Sequence, residues 1–209
     1  MDGKIKIIAS IFILLILINC NKEKKENLFQ LTELNNYKII KTKINDSIIK
    51  INGSNKDYTI EGNMNIHDNS KHGWWKINNE IIGEKYEIEY IYLDKQIENQ
   101  IKVYKNGQLD KNVSKFYTKS FDKNKVSFYF YFPISKFKTN QVYFDYTISD
   151  TVKRKIIKEG KLDCLKNIDH YYCSIPINKN ESVIGIINNF SDFKEKDSVT
   201  LAVDRMFIK

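Results

Sequence analysis

Proline, glycine and histidine are scarce in this chain of 209 residues, which holds 2 Pro, 8 Gly and 3 His. With so many aromatic and β-branched residues beside so little Pro and Gly, this is not a disordered composition. The longest apolar run, Ile7 to Ile18, falls short of the about 20 residues a helix needs to cross a bilayer. There is no Gly-x-Ser-x-Gly elbow, no Gly-x-Gly-x-x-Gly, no P-loop and no His-Glu-x-x-His, so the commonest motif-borne chemistries are absent. His67 and His72 flank a turn, and a shared metal would need at least one more ligand. Neither a metal nor a cofactor is expected. A thiol nucleophile needs a base beside it. His170 lies near Cys164 and Cys173 in the chain, but a bond between those cysteines would remove the thiolate. Asp and Glu are plentiful, and nothing singles out a catalytic pair. The reading is of a protein that is not an enzyme.

What the chain does have begins at its first residue. Lys4 and Lys6 precede the apolar run, and Asn21-Lys-Glu-Lys-Lys-Glu26 follows Cys20. A positive start, a short apolar run and a polar exit describe an export signal over residues 1–19. Leu17-Ile18-Asn19-Cys20 resembles the bacterial lipobox, whose cysteine is diacylated and becomes the first residue of the mature protein. The resemblance implies lipidation at Cys20 and attachment to a membrane of the cell envelope; which membrane and which face stay open. Two acyl chains give stable anchoring, each buried methylene contributing about 0.8 kcal/mol. Residues 20–36 begin so hydrophilic that they are expected to act as a polar tether.

The rest is rich in aromatic and β-branched residues, with 13 Tyr and 12 Phe, the material of a packed β core. Apolar residues alternate at Tyr86, Ile88, Tyr90 and Tyr92, at Val142, Phe144, Tyr146 and Ile148, and at Tyr171, Cys173, Ile175 and Ile177. Period-two alternation predicts strands. They are expected at about 37–45, 47–52, 57–66, 73–78, 84–94, 99–105, 113–118, 125–132, 141–149, 152–163, 170–177, 182–188 and 197–208. Val126 to Phe132 is aromatic on both faces, as in a strand covered on both sides. Turn signals stand at Asn52-Gly53, Asn78-Asn79, Asn106-Gly107 and Ser149-Asp150. Asn106-Gly107 suits a type I′ turn, because both residues tolerate positive φ. Leu28 to Tyr37 could form one short helix. The fold class is therefore all-β: antiparallel hairpins in a meander over 37–121, then an antiparallel region over 122–209 that can form a small sandwich.

Cys164 and Cys173 belong to an exported chain, where disulfides persist. The polar Lys166-Asn-Ile-Asp169 turn between them would bring them opposite each other in a hairpin. The formal charge of +8 is interspersed with Glu and Asp. That describes a mixed surface biased toward anionic envelope polymers, with no nucleic-acid binding. Trp74 and Trp75 are adjacent on an expected strand, so one should face inward and the other outward. Either is a candidate binding residue.

Gly73-Trp74-Trp75 and the later Tyr104, Asn106, Gly107 and Leu109 resemble two degenerate MORN-like repeats of the YwqK antitoxin type. The resemblance covers under a third of the chain. It implies β-hairpins that serve as interaction surfaces. Three readings follow: a non-catalytic lipoprotein presenting a β surface to an envelope protein, a binder of envelope glycan or anionic polymer, and a hydrolase without a familiar motif.

Overall fold

The computed structural model describes residues 28–196 and 198–209. The signal over 1–19, Cys20 and the first part of the expected tether lie outside the described residues. Residues 28–36 belong to a different unit from the rest of the described chain. They hold a short helix α1 (Leu28–Leu31) and a separate 3-10 turn (Leu34–Asn36) instead of one continuous helix. The Asn36 side chain donates to the Gln30 carbonyl at 2.9 Å. Such side-chain-to-backbone bonds compete with regular helix.

From Tyr37 to Lys209 the chain is one unit and all antiparallel β. Seven strands follow each other as a meander: β1 (Lys38–Lys43), β2 (Ile48–Ser54), β3 (Thr59–Asn65), β4 (Lys71–Asn79), β5 (Glu84–Tyr92), β6 (Gln96–Lys105) and β7 (Gln108–Leu109). The alternation read from sequence is realised as rows across the sheet. One row runs Ile39, Gly53, Ile60, Ile77, Tyr86, Val103 from β1 to β6. On the opposite face Glu61, Lys76, Glu87 and Lys102 form a row of alternating sign, the cross-strand pairing that favours this register. Asn106 (φ 50°) and Gly107 (φ 78°) make the tight turn from β6 to β7, as a type I′ turn requires.

The other strands are β8 (Phe116–Asp122), β9 (Lys125–Tyr131), β10 (Lys138–Asp150), β11 (Lys155–Asp163), β12 (Leu165–Lys166), β13 (Tyr171–Pro176), β14 (Glu181–Glu195) and β15 (Ser198–Ile208). They form two four-stranded sheets, ordered β12-β13-β9-β8 and β11-β10-β14-β15. The inner faces share one core of Val126, Phe128, Phe130, Phe144, Ile175, Ile187 and Met206 among others. Phe144 of one sheet meets Phe128 and Phe130 of the other edge to face, with ring centroids at 5.2 and 5.6 Å. This is a small sandwich. The change from meander to sandwich falls between β7 and β8, so residues 121 and 122, where a boundary was expected, both lie within β8. Ser114 braces the true junction: its hydroxyl donates to the Asp110 carbonyl at 2.6 Å and accepts from the Val103 amide at 3.0 Å.

The two β regions are stitched by side chains that substitute for backbone. The Asn99 amide group accepts from the Phe207 N–H at 2.6 Å and donates to the Phe207 carbonyl at 2.9 Å, mimicking one more ladder residue at β15. Buried Glu89 accepts from Asn99 and Gln100, each at 2.8 Å, and pairs with Lys209 at 2.9 Å. Burial pushes the Glu89 carboxyl up, but these donors outweigh it and hold the group below its ordinary range.

Cys164 and Cys173 form a disulfide, with Cα atoms 4.9 Å apart. It closes the hairpin of β12 and β13 around the turn expected at 166–169, where the Asn167 amide bonds to the His170 carbonyl at 2.8 Å. Neither sulfur is then available as a thiolate, so the Cys–His pair weighed from sequence is not formed.

Candidate functional site

Trp74 and Trp75 separate to opposite faces of β4. Trp75 is 1% exposed. Its indole lies on Gly62 of β3, where a Cβ would sit 2.2 Å from the ring; only glycine leaves that space. Its Nε1–H donates to the Asn63 carbonyl at 3.0 Å, and Tyr90 meets the ring edge to face at 6.3 Å. A buried indole needs both a packed ring and a partner for its N–H, and Trp75 has both. It is a core residue and offers no binding surface.

Trp74 is 39% exposed. Lys102 holds its ammonium 4.8 Å from the Trp74 ring centre and 5.8 Å from that of Phe116, within the range of a cation–π contact. Phe116 in turn stacks on Tyr131 at 4.4 Å and 5°. Lys111 and His170 then reach the Tyr131 ring, at 5.0 and 5.5 Å. A continuous ribbon of cationic and aromatic side chains therefore links the Trp74 face of the meander to the hairpin closed by the disulfide. Residues separated by almost a hundred positions compose it, and sequence spacing carries no sign of it.

The ribbon ends at a groove of about 430 Å³ at one end of the sandwich, between the β9–β10 connection and the β12–β13 turn. Its lining includes the aromatic rings of Phe132, Phe137 and Tyr171, all half-buried. Lys111, Lys138 and Lys166 line it. Asp169 is the one acid among its lining residues, and both carboxylate oxygens are taken, by Lys111 at 2.8 Å and by His170 Nδ1 at 2.7 Å. The hydrogen bonds from Lys111 and His170 lower its pKa to about 2, so it is ionised and internally paired throughout the physiological range. The groove is therefore net positive. This part of the molecule went unforeseen, because its walls come from three separate segments.

On the outer face beside it, the Tyr172 hydroxyl contacts Ser127 Oγ at 3.2 Å, and Ser127 Oγ contacts Ser174 Oγ at 3.3 Å. Hydrogen bonds with these two serines lower the Tyr172 pKa. Among the described residues no group of three or more His, Cys, Asp or Glu side chains could hold a metal ion, and no helix is long and apolar enough to cross a membrane. His67 lies in the β3–β4 turn and His72 on β4, both exposed. No family model matches the chain, and no curated protein and no solved structure matches it.

Proposed function

We propose that the chain is an exported lipoprotein, anchored through Cys20, that acts without turnover by presenting a β surface to a protein of the cell envelope. The observation that supports this reading best is the placement of Trp74. A large, half-exposed indole sits on a rigid strand, steadied by Lys102 and bordered by a charged row. Interface hot spots favour such aromatic anchors ringed by polar groups. Holding the indole on a sheet also limits the side-chain entropy lost on binding. The MORN-like resemblance of the surrounding hairpins points the same way.

A photo-crosslinking residue at position 74, introduced into the full chain in whole cells, tests it. The expected result is a discrete protein adduct that weakens when Cys20→Ala removes the anchor. Absence of any protein adduct from position 74, or an adduct to glycan alone, would contradict the reading.

A further inference from the structure

Ile168 is 98% exposed and Ile134 is 77% exposed. Single exposed apolar residues are ordinary on a protein surface. These two are not single: they stand on the two loops that face each other across the basic groove. Ile168 is at the tip of the β12–β13 turn, and Ile134 is in the connection from β9 to β10. Lys138 and Lys166 line the same groove, and neither makes an ion pair among the described residues. Asp169 does not offset them, because Lys111 and His170 already occupy it.

We propose that this end of the sandwich docks on a membrane surface that carries anionic phosphate headgroups. Ile134 and Ile168 enter the boundary between headgroups and acyl chains. Lys138 and Lys166 take the phosphates, and the groove, lined in part by aromatic rings, admits a headgroup. Apolar tips flanked by lysines are the arrangement by which a protein lies on a bilayer without crossing it, and aromatic rings favour the same boundary. A soluble anionic saccharide would use the lysines and the rings but leave both isoleucines in water. A lipid surface uses all of them. The disulfide fixes the turn that carries Ile168, and the Ile134 amide is held by the Asn112 carbonyl at 2.7 Å. The proposed anchoring at Cys20 only supplies the place where such a surface is met; the groove chemistry stands apart from it.

The test uses the mature chain, residues 20–209, with Cys20→Ser so that no acyl chain contributes. It is mixed with vesicles of phosphatidylcholine alone or with an equal part of phosphatidylglycerol, and sedimented. Binding to the anionic vesicles alone, falling with added salt, is expected. Each lysine near such a surface contributes about a fivefold factor, so Lys138→Ala with Lys166→Ala should lower partitioning about 25-fold. Ile134→Asp with Ile168→Asp should abolish it. All four side chains are exposed, so the unfolding temperature serves as a control and should not move. Vesicle protection in hydrogen exchange should fall on residues 132–138 and 166–171. Equal binding to both vesicle types, variants that bind like the parent, or protection elsewhere would overturn the proposal. So would binding of soluble polygalacturonate at the groove with no binding to vesicles, which would assign the groove to an anionic saccharide. Failure of the lipoprotein reading is seen separately, as absent fatty-acid labelling of the unaltered chain.

Discussion

Trp75→Ala is expected to destabilise the fold by about 3–5 kcal/mol, the cost of emptying a large aromatic site in a core. Trp74→Ala, one residue away, should change stability by no more than about 0.5 kcal/mol. The contrast follows from burial. Trp75 fills the space over Gly62 and bonds the Asn63 carbonyl, whereas Trp74 is 39% exposed and rests beneath one lysine. A domain has only about 5–15 kcal/mol of net stability, so Trp75→Ala should remove a large part of it. Urea unfolding followed by far-ultraviolet circular dichroism measures both variants. If Trp74→Ala proved the more damaging, the facing of β4 would be wrong. Trp74→Ala should keep the fold and lose the proposed envelope partner.

Reducing the Cys164–Cys173 bond is expected to cost roughly 2–3 kcal/mol, the loop-closure term for so short a loop; the cysteines are 9 positions apart. Intact mass should rise by two hydrogens on reduction. The urea midpoint should fall while the slope stays near that of the oxidised protein, since the surface exposed on unfolding changes little. Cys173 is buried, so a Cys→Ala change would add a cavity penalty, and reduction of the unaltered chain is the cleaner comparison. An unchanged midpoint under reductant would mean that the β12–β13 hairpin closes without the bond. Loosening should be greatest at the turn that carries Ile168, so the groove wall should respond before the core does.

Period-two alternation carried most of the strand order. Residues whose environment reverses the usual preference account for what it missed. β14 runs on to Glu195, well past the expected end near 188, because Asn188, Asn189 and Ser191 are buried polar residues within a strand. Asn188 is satisfied by Asp145 and Arg205, partners that no local pattern reveals. Asn52-Gly53 reads as a turn but lies in β2. Gly53 is there because a Cβ would sit 2.6 Å from Ile39 and 2.8 Å from Ile60. The turn itself comes later and is capped by Asn55, which accepts from the amides of Asp57 and Tyr58, an Asx turn. The expected turn at Asn78-Asn79 is likewise displaced: Asn79 ends β4, and its side chain caps the amides of Ile81 and Ile82. β7 and β12 are two residues long, too short for any periodicity to register.

Of the candidate site, the opposite facing of the two tryptophans and the pairing of the two cysteines were legible, since both depend on local alternation and a local turn. The ribbon from Trp74 through Lys102, Phe116 and Tyr131 was not, and neither was the groove. The ribbon is assembled across β4, β6, β8 and β9, and the groove from the β7–β8 and β9–β10 connections, the start of β10 and the β12–β13 turn, so both exist only once the sheets have formed. The sites with clear local signals are held by backbone register. The sites without them are the ones where lysine, aromatic and exposed isoleucine meet.

The most direct measurement concerns Cys20. Cells expressing the full chain are fed a labelled fatty acid, and the protein is recovered from the envelope for labelling and N-terminal mass analysis. The mature protein should begin at Cys20, carry acyl chains there, and lose all label in Cys20→Ala. A mature protein that begins at another residue, or label that persists in Cys20→Ala, would contradict the claim that this β protein acts from a lipid anchor.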